Sequence, residues 1–247
     1  MLVDGHVHIG KSTRLQIDAD GELLVRRADA LGIDKICCTD LTALFYDMHE
    51  GNRLLYEEMR RFPDRILGYA SLHSTRFGRA ALDELERCRH DYGMRGLKIY
   101  STPEMSIAEP AMIPILEKCV ELDFPILAHT TPQECEYLLG HVPECRFIMA
   151  HAGAQPFAKG DWNRAIQAAE RFEHLYLDTA SSTIDMGFLE ACVDALGADR
   201  IIFGTDMPLL DPWPQLDKVR QTRVPPKDLA QIMGGNILRL MGAGGAS

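Results

Sequence analysis

Three features of the 247-residue sequence predict an α/β fold. Short runs of β-type residues alternate with segments of helical hydrophobic periodicity from one end to the other. The β-type runs are apolar almost throughout, as expected when helices cover both faces of a parallel sheet. The content of 46% hydrophobic and 25% charged residues is typical of globular proteins and argues against a disordered or fibrous chain.

Eight runs are predicted to be strands. They are Leu2–Ile9, Ile33–Thr39, Ile66–His73, Gly96–Tyr100, Pro125–His129, Arg146–His151, Leu175–Thr179 and Arg200–Asp206. The segments between them carry apolar residues at helical spacing, for example over Met112–Val120 and Leu189–Leu196. A last helix is predicted after Pro225-Pro226 and continues through Leu240.

Eight strands that alternate with helices in about 250 residues predict a (β/α)₈ TIM barrel. We expect a single domain over residues 1–247, because no linker or shift in composition divides the chain. A doubly wound open sheet is the alternative. It is disfavoured because Gly10-Lys11-Ser12-Thr13, after the first strand, lacks the glycine spacing of a dinucleotide-binding loop.

Charge and cysteine usage exclude several classes of function. The formal net charge is −10 and no basic stripe is present, which argues against nucleic-acid binding. No apolar run is long enough to span a membrane, and the first residues lack the features of a secretory signal. The seven cysteines lie in apolar segments without a disulfide pattern, so we expect a cytoplasmic protein. A homo-oligomer is left open.

Ionisable side chains lie near the carboxyl ends of the predicted strands. They are His6, His8, Lys98, His129, His151, Asp178 and Asp206. In a barrel these strand ends meet at one rim, where active sites are built. The sequence therefore predicts a polar site at this mouth, which would bind a small molecule.

Two imidazoles at positions i and i+2 of one strand can hold one cation from one side, and His6 and His8 have this spacing. His129 and Asp206 would complete a four- or five-coordinate divalent metal site. Asp4 lies on the same face and could fix the tautomer of a ligand histidine.

Lys98 and Asp178 are predicted to contact the substrate, with alternatives left open. Lys98 could instead be a carbamylated bridge between two metals or form a structural ion pair. Asp178 could instead cap local backbone. The walls of the pocket are expected from aromatic residues of the loops, namely Phe45, Tyr46, Tyr100, Phe157, Trp162 and Trp213.

Four segments resemble the amidohydrolase superfamily, in particular the amidohydrolase 2 branch related to aminocarboxymuconate-semialdehyde decarboxylase. They are Asp4-Gly5-His6-Val7-His8, Ala128-His129-Thr130, Ala150-His151-Ala152-Gly153 and Gly204-Thr205-Asp206-Met207-Pro208. The C-terminal segment Gly234–Leu240 is also similar to that branch. The resemblance extends from residue 2 to about residue 241.

The resemblance implies a barrel with one divalent metal, usually Zn²⁺ and alternatively Mn²⁺, held by His6, His8, His129 and Asp206. His151 would act on the substrate or, with Lys98, contribute to a second metal position. Members of the branch include hydrolases of amides, esters and lactones, as well as decarboxylases and hydratases. The chain is shorter than the decarboxylases of the branch, which favours hydrolysis.

The leading hypothesis is hydrolysis of a C–N or C–O bond next to a carbonyl by a metal-activated water. Asp206 would accept the proton of that water, and His151 would stabilise the developing oxyanion. The alternative is non-oxidative decarboxylation of a small carboxylic acid at the same site. A metal-bound barrel without catalytic activity is the third possibility.

Overall fold

The computed structural model describes residues 1–73, 77–102, 105–153, 162–181 and 186–243, in which strands and helices alternate as predicted. The strands are β1 (Val3–Ser12), β2 (Ile17–Ala19), β3 (Lys35–Asp40), β4 (Ile66–Gly68), β5 (Ala70–Ser71), β6 (Leu97–Tyr100), β7 (Ile126–His129), β8 (Phe147–Met149), β9 (Leu175–Asp178) and β10 (Ile201–Ile202). The helices are α1 (Gly21–Leu31), α2 (Leu41–Phe45), α3 (Met48–Arg61), α4 (Arg79–His90), α5 (Ile113–Glu121), α6 (Pro132–His141), α7 (Trp162–Arg171), α8 (Phe188–Leu196), α9 (Pro212–Arg220), α10 (Pro226–Ala230) and α11 (Asn236–Leu240).

Parallel pairing connects the strands in sequence order. β1, β3 and β4 form one run, and β5 to β10 form the other. Between β4 and β5 only Tyr69 interrupts the strand, and its backbone amide still donates a hydrogen bond to the carbonyl of Cys38 at 2.9 Å. β4 and β5 are therefore two halves of one barrel strand, which joins the two runs.

The first and last strands close the ring. Three backbone hydrogen bonds of 2.8–2.9 Å connect them, from Gly5 N to Phe203 O, from Asp206 N to His6 O and from His8 N to Met207 O. Glycine at position 5 permits this approach, because a Cβ there would lie 2.8 Å from Ile202 Cγ2. The same holds for Gly204, whose Cβ would lie 2.7 Å from His6 Cβ. The predicted TIM barrel is confirmed.

Alternation along the strands separates two apolar layers. Leu97 and Ile99 of β6 belong to the layer between strands and helices. The inner layer fills the barrel near the start of its strands and is closed from below by α11; it contains Val3, Cys37, Tyr69, Leu127, Ile148, Tyr176, Ile202, Ile237 and Leu240. The mouth at the carboxyl ends of the strands is therefore left to polar side chains.

Several boundaries differ from the predictions. β8 ends at Met149 and β10 at Ile202, so His151 and Asp206 follow their strands instead of ending them. Both residues adopt a left-handed backbone, with φ of 58° and 62° respectively, which a β-strand does not accommodate. The hairpin strand β2, which pairs antiparallel with the end of β1, was not predicted.

The C-terminal helix is divided where a continuous helix was predicted. A π-type turn over Gln231–Gly235 separates α10 from α11. Gly234 lies against the start of β1, where a Cβ would come within 2.4 Å of the Met1 carbonyl oxygen. The helix is therefore interrupted at the point where Gly234 packs against the N-terminal residues.

All seven cysteines are buried and free, in agreement with their predicted place in the core. Among the described helices none is both long and apolar enough to cross a lipid bilayer.

Candidate metal centre

The predicted site residues gather at the mouth of the barrel and are all buried. Their exposed fractions lie between 0% for His6 and Asp178 and 8% for His129 and Asp206. Buried imidazoles, carboxylates and ammonium groups are costly unless they find partners. Their mutual contacts therefore define what the site can hold.

Both ring nitrogens of His6 contact other side chains of the site. Nδ1 lies 2.7 Å from Oδ2 of Asp178, and Nε2 lies 2.8 Å from Nζ of Lys98. Because a carboxylate accepts and an ammonium donates, the proton of a neutral His6 is on Nδ1 and the lone pair is on Nε2. This lone pair is directed at Lys98 and is the one that would bind a cation.

Asp206 brings a carboxylate to the same point. Its Oδ1 lies 3.0 Å from Nε2 of His8 and 3.4 Å from Nε2 of His6. No described residue donates a well-directed hydrogen bond to this buried oxygen, and Nδ1 of His8 is likewise without a partner among them. A buried acceptor in this condition is unusual and suits a group that a cation would satisfy.

Burial and charge set the protonation of these groups. Burial would raise the pKa of Asp206, but His8, His6 and His151 hold it below its usual range. Burial lowers the pKa of His6 and His8, and it lowers that of His129 to about 3, assisted by His151 and Lys98. Burial thus favours the neutral imidazole at His6, His8 and His129, and the neighbours of Asp206 favour its carboxylate, which are the forms that ligate metals.

Lys98 faces into the barrel, because its neighbours Leu97 and Ile99 belong to the layer between strands and helices. It is 1% exposed, and burial lowers the pKa of its ammonium group to about 8 while Asp206 and Asp178 oppose the change. A group in this state can carry a positive charge at neutral pH and can lose it readily.

His129 and His151 lie beside this group of ligands. Nδ1 of His129 is 2.9 Å from the carbonyl oxygen of Ser101, and its ring lies 5.4 Å from that of His151. Nδ1 of His151 contacts the carbonyl oxygen of Ala180, and its ring lies 5.1 Å from that of His6.

Three of the four predicted ligands converge directly. Ligand atoms of His6, His8 and Asp206 lie within 4.8 Å of one another, and so do those of His6, His151 and Asp178. Neither group includes His129. Two imidazole nitrogens and a carboxylate oxygen suit Zn²⁺ or Mn²⁺, so the residues present fit a divalent metal. The complete set with His129, and a second metal with Lys98 and His151, stay predictions.

Asp178 has a different environment from the expected substrate contact. It is fully buried, its Oδ2 contacts His6, and its Oδ1 accepts hydrogen bonds from the backbone amides of His151 at 2.5 Å and Ala180 at 3.1 Å. The left-handed backbone at His151 brings that amide to the carboxylate. Both oxygens are thus engaged by protein groups, which favours a positioning role.

The expectation for Asp4 was wrong. Its carboxylate accepts hydrogen bonds from the amides of His6 and Thr205 and from the hydroxyl of Thr205, at 2.5–3.1 Å. It thus secures the seam between β1 and the last strand, while Asp178 contacts the imidazole of His6. Sequence spacing gave no sign of this, because Asp178 is 172 residues from His6.

Aromatic side chains continue outwards from His129. Tyr100 stacks on its ring at 4.2 Å between centroids, and Phe45 packs edge-on against Tyr100 at 5.3 Å. The guanidinium of Arg14 lies 5.4 Å above Phe45. Of the other expected wall residues, Trp162 packs on Phe188, Trp213 is largely exposed, and Phe157 lies outside the described residues.

A family model described as "Amidohydrolase" matches residues 46–243. The match covers most of the chain, including the positions of Lys98, His129, His151, Asp178 and Asp206.

Solved structures share the fold from end to end. A 2,6-dihydroxybenzoate decarboxylase in complex with 2,6-dihydroxybenzoate is similar with a TM-score of 0.81 and 19% identity, over 98% of this chain and 99% of that one. A dihydroxybenzoic acid decarboxylase from Polaromonas sp. JS666, with bound manganese and the inhibitor 2-nitroresorcinol, gives 0.77 and 18% over 98% and 96%. A 4-oxalomesaconate hydratase from Rhodopseudomonas palustris gives 0.73 and 17% over 98% and 96%.

Proposed function

Because the chain belongs to the amidohydrolase family, we propose that it is a metal-dependent decarboxylase of a small, planar carboxylic acid. The family match confirms the resemblance derived from the sequence motifs. The observation that carries the proposal is the buried ammonium group of Lys98, 2.8 Å from His6 and beside Asp206 at the bottom of the mouth. Decarboxylation thus takes the place of hydrolysis, which was the leading hypothesis from the sequence.

The charge at the bottom of the site suits a carboxylate substrate. A buried ammonium group is stabilised by an anion that replaces its lost hydration. The carboxylate of Asp178, one of the two near Lys98, is already engaged with the ring of His6 and the backbone amide of His151. A substrate carboxylate at Lys98 would supply the remaining compensation.

The wall of the mouth suits a flat ring or enoate. Tyr100 stacks on His129 and Phe45 packs on Tyr100, which leaves an aromatic surface next to the ligands. Planar rings pack favourably on such surfaces. Two of the similar structures named above are decarboxylases of dihydroxybenzoic acids. Their alignments cover 98% of this chain in both cases, and 99% and 96% of the respective decarboxylases. Because both chains are matched almost from end to end, the length of this chain does not argue against decarboxylation.

A bound divalent cation, Zn²⁺ or Mn²⁺, would supply Lewis-acid polarisation of the substrate oxygens. Lys98 would hold the departing carboxylate, and Tyr100 would orient the plane of the ring. The C–C bond breaks, its electron pair passes to the ring carbon, that carbon takes a proton, and CO₂ leaves. Asp206 is ionised, so it would take up a proton from a substrate hydroxyl before passing it to carbon, with His151 as the alternative donor.

Hydrolysis of an amide, ester or lactone is the second candidate. The observation that favours it is Oδ1 of Asp206, which receives no well-directed hydrogen bond from the described residues. A carboxylate in that position can accept a proton from a water molecule. His151, whose ring lies 5.1 Å from that of His6, would then stabilise the oxyanion.

Product analysis separates these reactions. Protein loaded with Mn²⁺ or Zn²⁺ is incubated with hydroxylated benzoates and enoates, and separately with amides, esters and lactones. We expect CO₂ and the decarboxylated product in equal amounts from an acid of the first group. Cleavage of the second group without CO₂ would establish hydrolysis, and metal-loaded protein inactive on both would favour the non-catalytic barrel.

Asp206→Asn tests the proton transfer. Turnover should fall by about 10²–10⁴-fold, since the amide cannot carry the proton, even where metal is retained. Asp211→Asn is the matched control, because Asp211 caps α9 through the amide of Trp213 and the new amide oxygen can keep that bond. Substantial activity in Asp206→Asn would overturn the assignment.

A further inference from the structure

One buried carboxylate outside the predicted ligand set holds two loops of the mouth together. Glu134 lies in the first turn of α6 and is 7% exposed. Its two oxygens accept hydrogen bonds at 2.6–3.4 Å from the loops that follow β6 and β7. The donors are Ser101 Oγ, Ser106 Oγ, Ile107 N, Thr130 Oγ1, Thr131 N and Thr131 Oγ1.

Helix capping accounts for only one of the two oxygens. Oε2 accepts from the amide of Thr131, and Thr131 Oγ1 accepts from the amide of Glu134, which together form a capping box. Oε1 accepts from Ser101, Ser106 and Ile107, which lie 27 to 33 residues earlier in the chain. A cap alone needs none of these three bonds.

The loop held by Oε1 is the one that orients His129. Ser101 donates its hydroxyl proton to Glu134, its amide donates to the carbonyl of His129 at 2.8 Å, and its own carbonyl lies 2.9 Å from Nδ1 of His129. A carbonyl can only accept, so this contact fixes the proton of a neutral His129 on Nδ1 and its lone pair on Nε2. Thr130, directly after His129, is held by Oε2 at 2.9 Å.

We propose that Glu134 is a positioning residue of the metal centre, which fixes the Ser101 loop against the His129 loop and so directs Nε2 of His129 towards the metal. This inference rests on the proposed role of His129 as a ligand. Groups that orient a metal ligand through its second nitrogen change metal affinity by about 10–100-fold when they are replaced. Glu134 would act on His129 indirectly, by holding Ser101, whose carbonyl oxygen contacts Nδ1 of His129.

The test is the affinity of the whole protein for Mn²⁺ and Zn²⁺, measured by calorimetry on the chelator-treated chain, together with its melting temperature without metal. Glu134→Gln should weaken metal binding by about tenfold or more, because an amide nitrogen replaces an oxygen that faces hydrogen-bond donors. Ser101→Ala, which removes one hydroxyl bond and keeps the carbonyl, should weaken it in the same direction by less.

Glu84→Gln is the matched control. Glu84 is a helical glutamate, 2% exposed, and accepts hydrogen bonds from Asn52, Arg87 and His49, none of which is a predicted ligand. The melting temperatures of Glu84→Gln and Glu134→Gln should both fall. The metal affinity of Glu84→Gln should stay within about twofold of the wild type, since no ligand is disturbed.

A double-mutant cycle with His129→Ala separates positioning from general loosening. If Glu134 acts through His129, Glu134→Gln should have almost no effect on metal affinity in the His129→Ala background. The same loss in both backgrounds, or no loss while His129→Ala weakens binding, would overturn the inference alone. Unchanged affinity in His129→Ala would overturn both the inference and the proposed ligand role.

Discussion

His6 illustrates how a single side chain is prepared for its role. Asp178 holds one ring nitrogen at 2.7 Å and Lys98 meets the other at 2.8 Å, in an environment without exposed surface. The contact with Asp178 sets the tautomer, while that with Lys98 marks the lone pair that is offered to a cation. The spacing of His6 and His8 predicted the pair of imidazoles, but only the fold shows that Asp178 is the carboxylate that orients His6.

Asp178→Asn should weaken metal binding by about tenfold or more, because the amide must turn its NH₂ group towards either Nδ1 of His6 or the amide of His151. We also expect a loss of about 1–3 kcal/mol in the free energy of unfolding. Calorimetric titration with Mn²⁺ and chemical denaturation measure the two effects.

Asp40→Asn provides the control for Asp178. Asp40 is buried too, but its carboxylate accepts hydrogen bonds from the amides of Thr42 and Ala43 at the start of α2. This variant should keep the metal affinity of the wild type. Equal losses of affinity in the two variants would contradict the positioning role of Asp178.

Lys98→Met distinguishes the three roles left open by the sequence. If Lys98 holds the substrate carboxylate, the apparent KM for the acid should rise by about tenfold or more, because a charge-assisted hydrogen bond is worth about 1.5–3 kcal/mol. The metal content should stay the same. A fall from two metals per chain to one would instead identify a carbamylated bridge, and unchanged kinetics would leave only a structural ion pair.

Among the elements, α3, α4 and β5 are joined by a buried polar cluster. Glu84 on α4 accepts hydrogen bonds from Arg87 and from Asn52 of α3, and Asn52 in turn exchanges two bonds with the backbone of Ser71. Burial would raise the pKa of Glu84, but Arg87, Asn52 and His49 lower it below its usual value of 4.5. The cluster therefore ties the short strand β5 to two helices through an ionised group.

The contribution of Glu84 to the free energy of unfolding should depend on pH. A carboxyl whose pKa is lower in the folded state stabilises the protein above its unfolded value of 4.5, and this contribution is lost as the pH falls through the folded value. Denaturant unfolding at a series of pH values should find Glu84→Gln less stable than wild type at neutral pH, with a gap that narrows below 4.5. A gap independent of pH would contradict this account.

Element type could be predicted where periodicity was strong. Leu97 and Ile99 of β6 alternate with Lys98, and the strand and its inward-facing lysine both follow from that pattern. The backbone at His151 and Asp206 could not be predicted, since nothing in their neighbours demands a positive φ. The hydrogen bonds to Asp178 and the seam between β1 and the last strand hold these conformations, and both are contacts between distant residues.

For the whole molecule, the barrel was predictable because eight strands alternating with helices leave few other topologies. The site could be placed at one mouth for the same reason. The positions of Asp4 and Asp178 relative to the ligands could not be predicted. They depend on contacts between residues far apart in the sequence, Asp4 with Thr205 and His6 with Asp178. One domain over residues 1–247 stays a prediction.

The central claim is that this mouth holds a divalent metal, and elemental analysis of protein never exposed to chelator tests it most directly. The wild type should contain about one Zn²⁺ or Mn²⁺ per chain, and the His6→Ala/His8→Ala variant should contain almost none, because it lacks two of the proposed ligands. Circular dichroism would verify that the variant is folded. Wild-type protein without metal, or a folded double variant that retains it, would contradict the account.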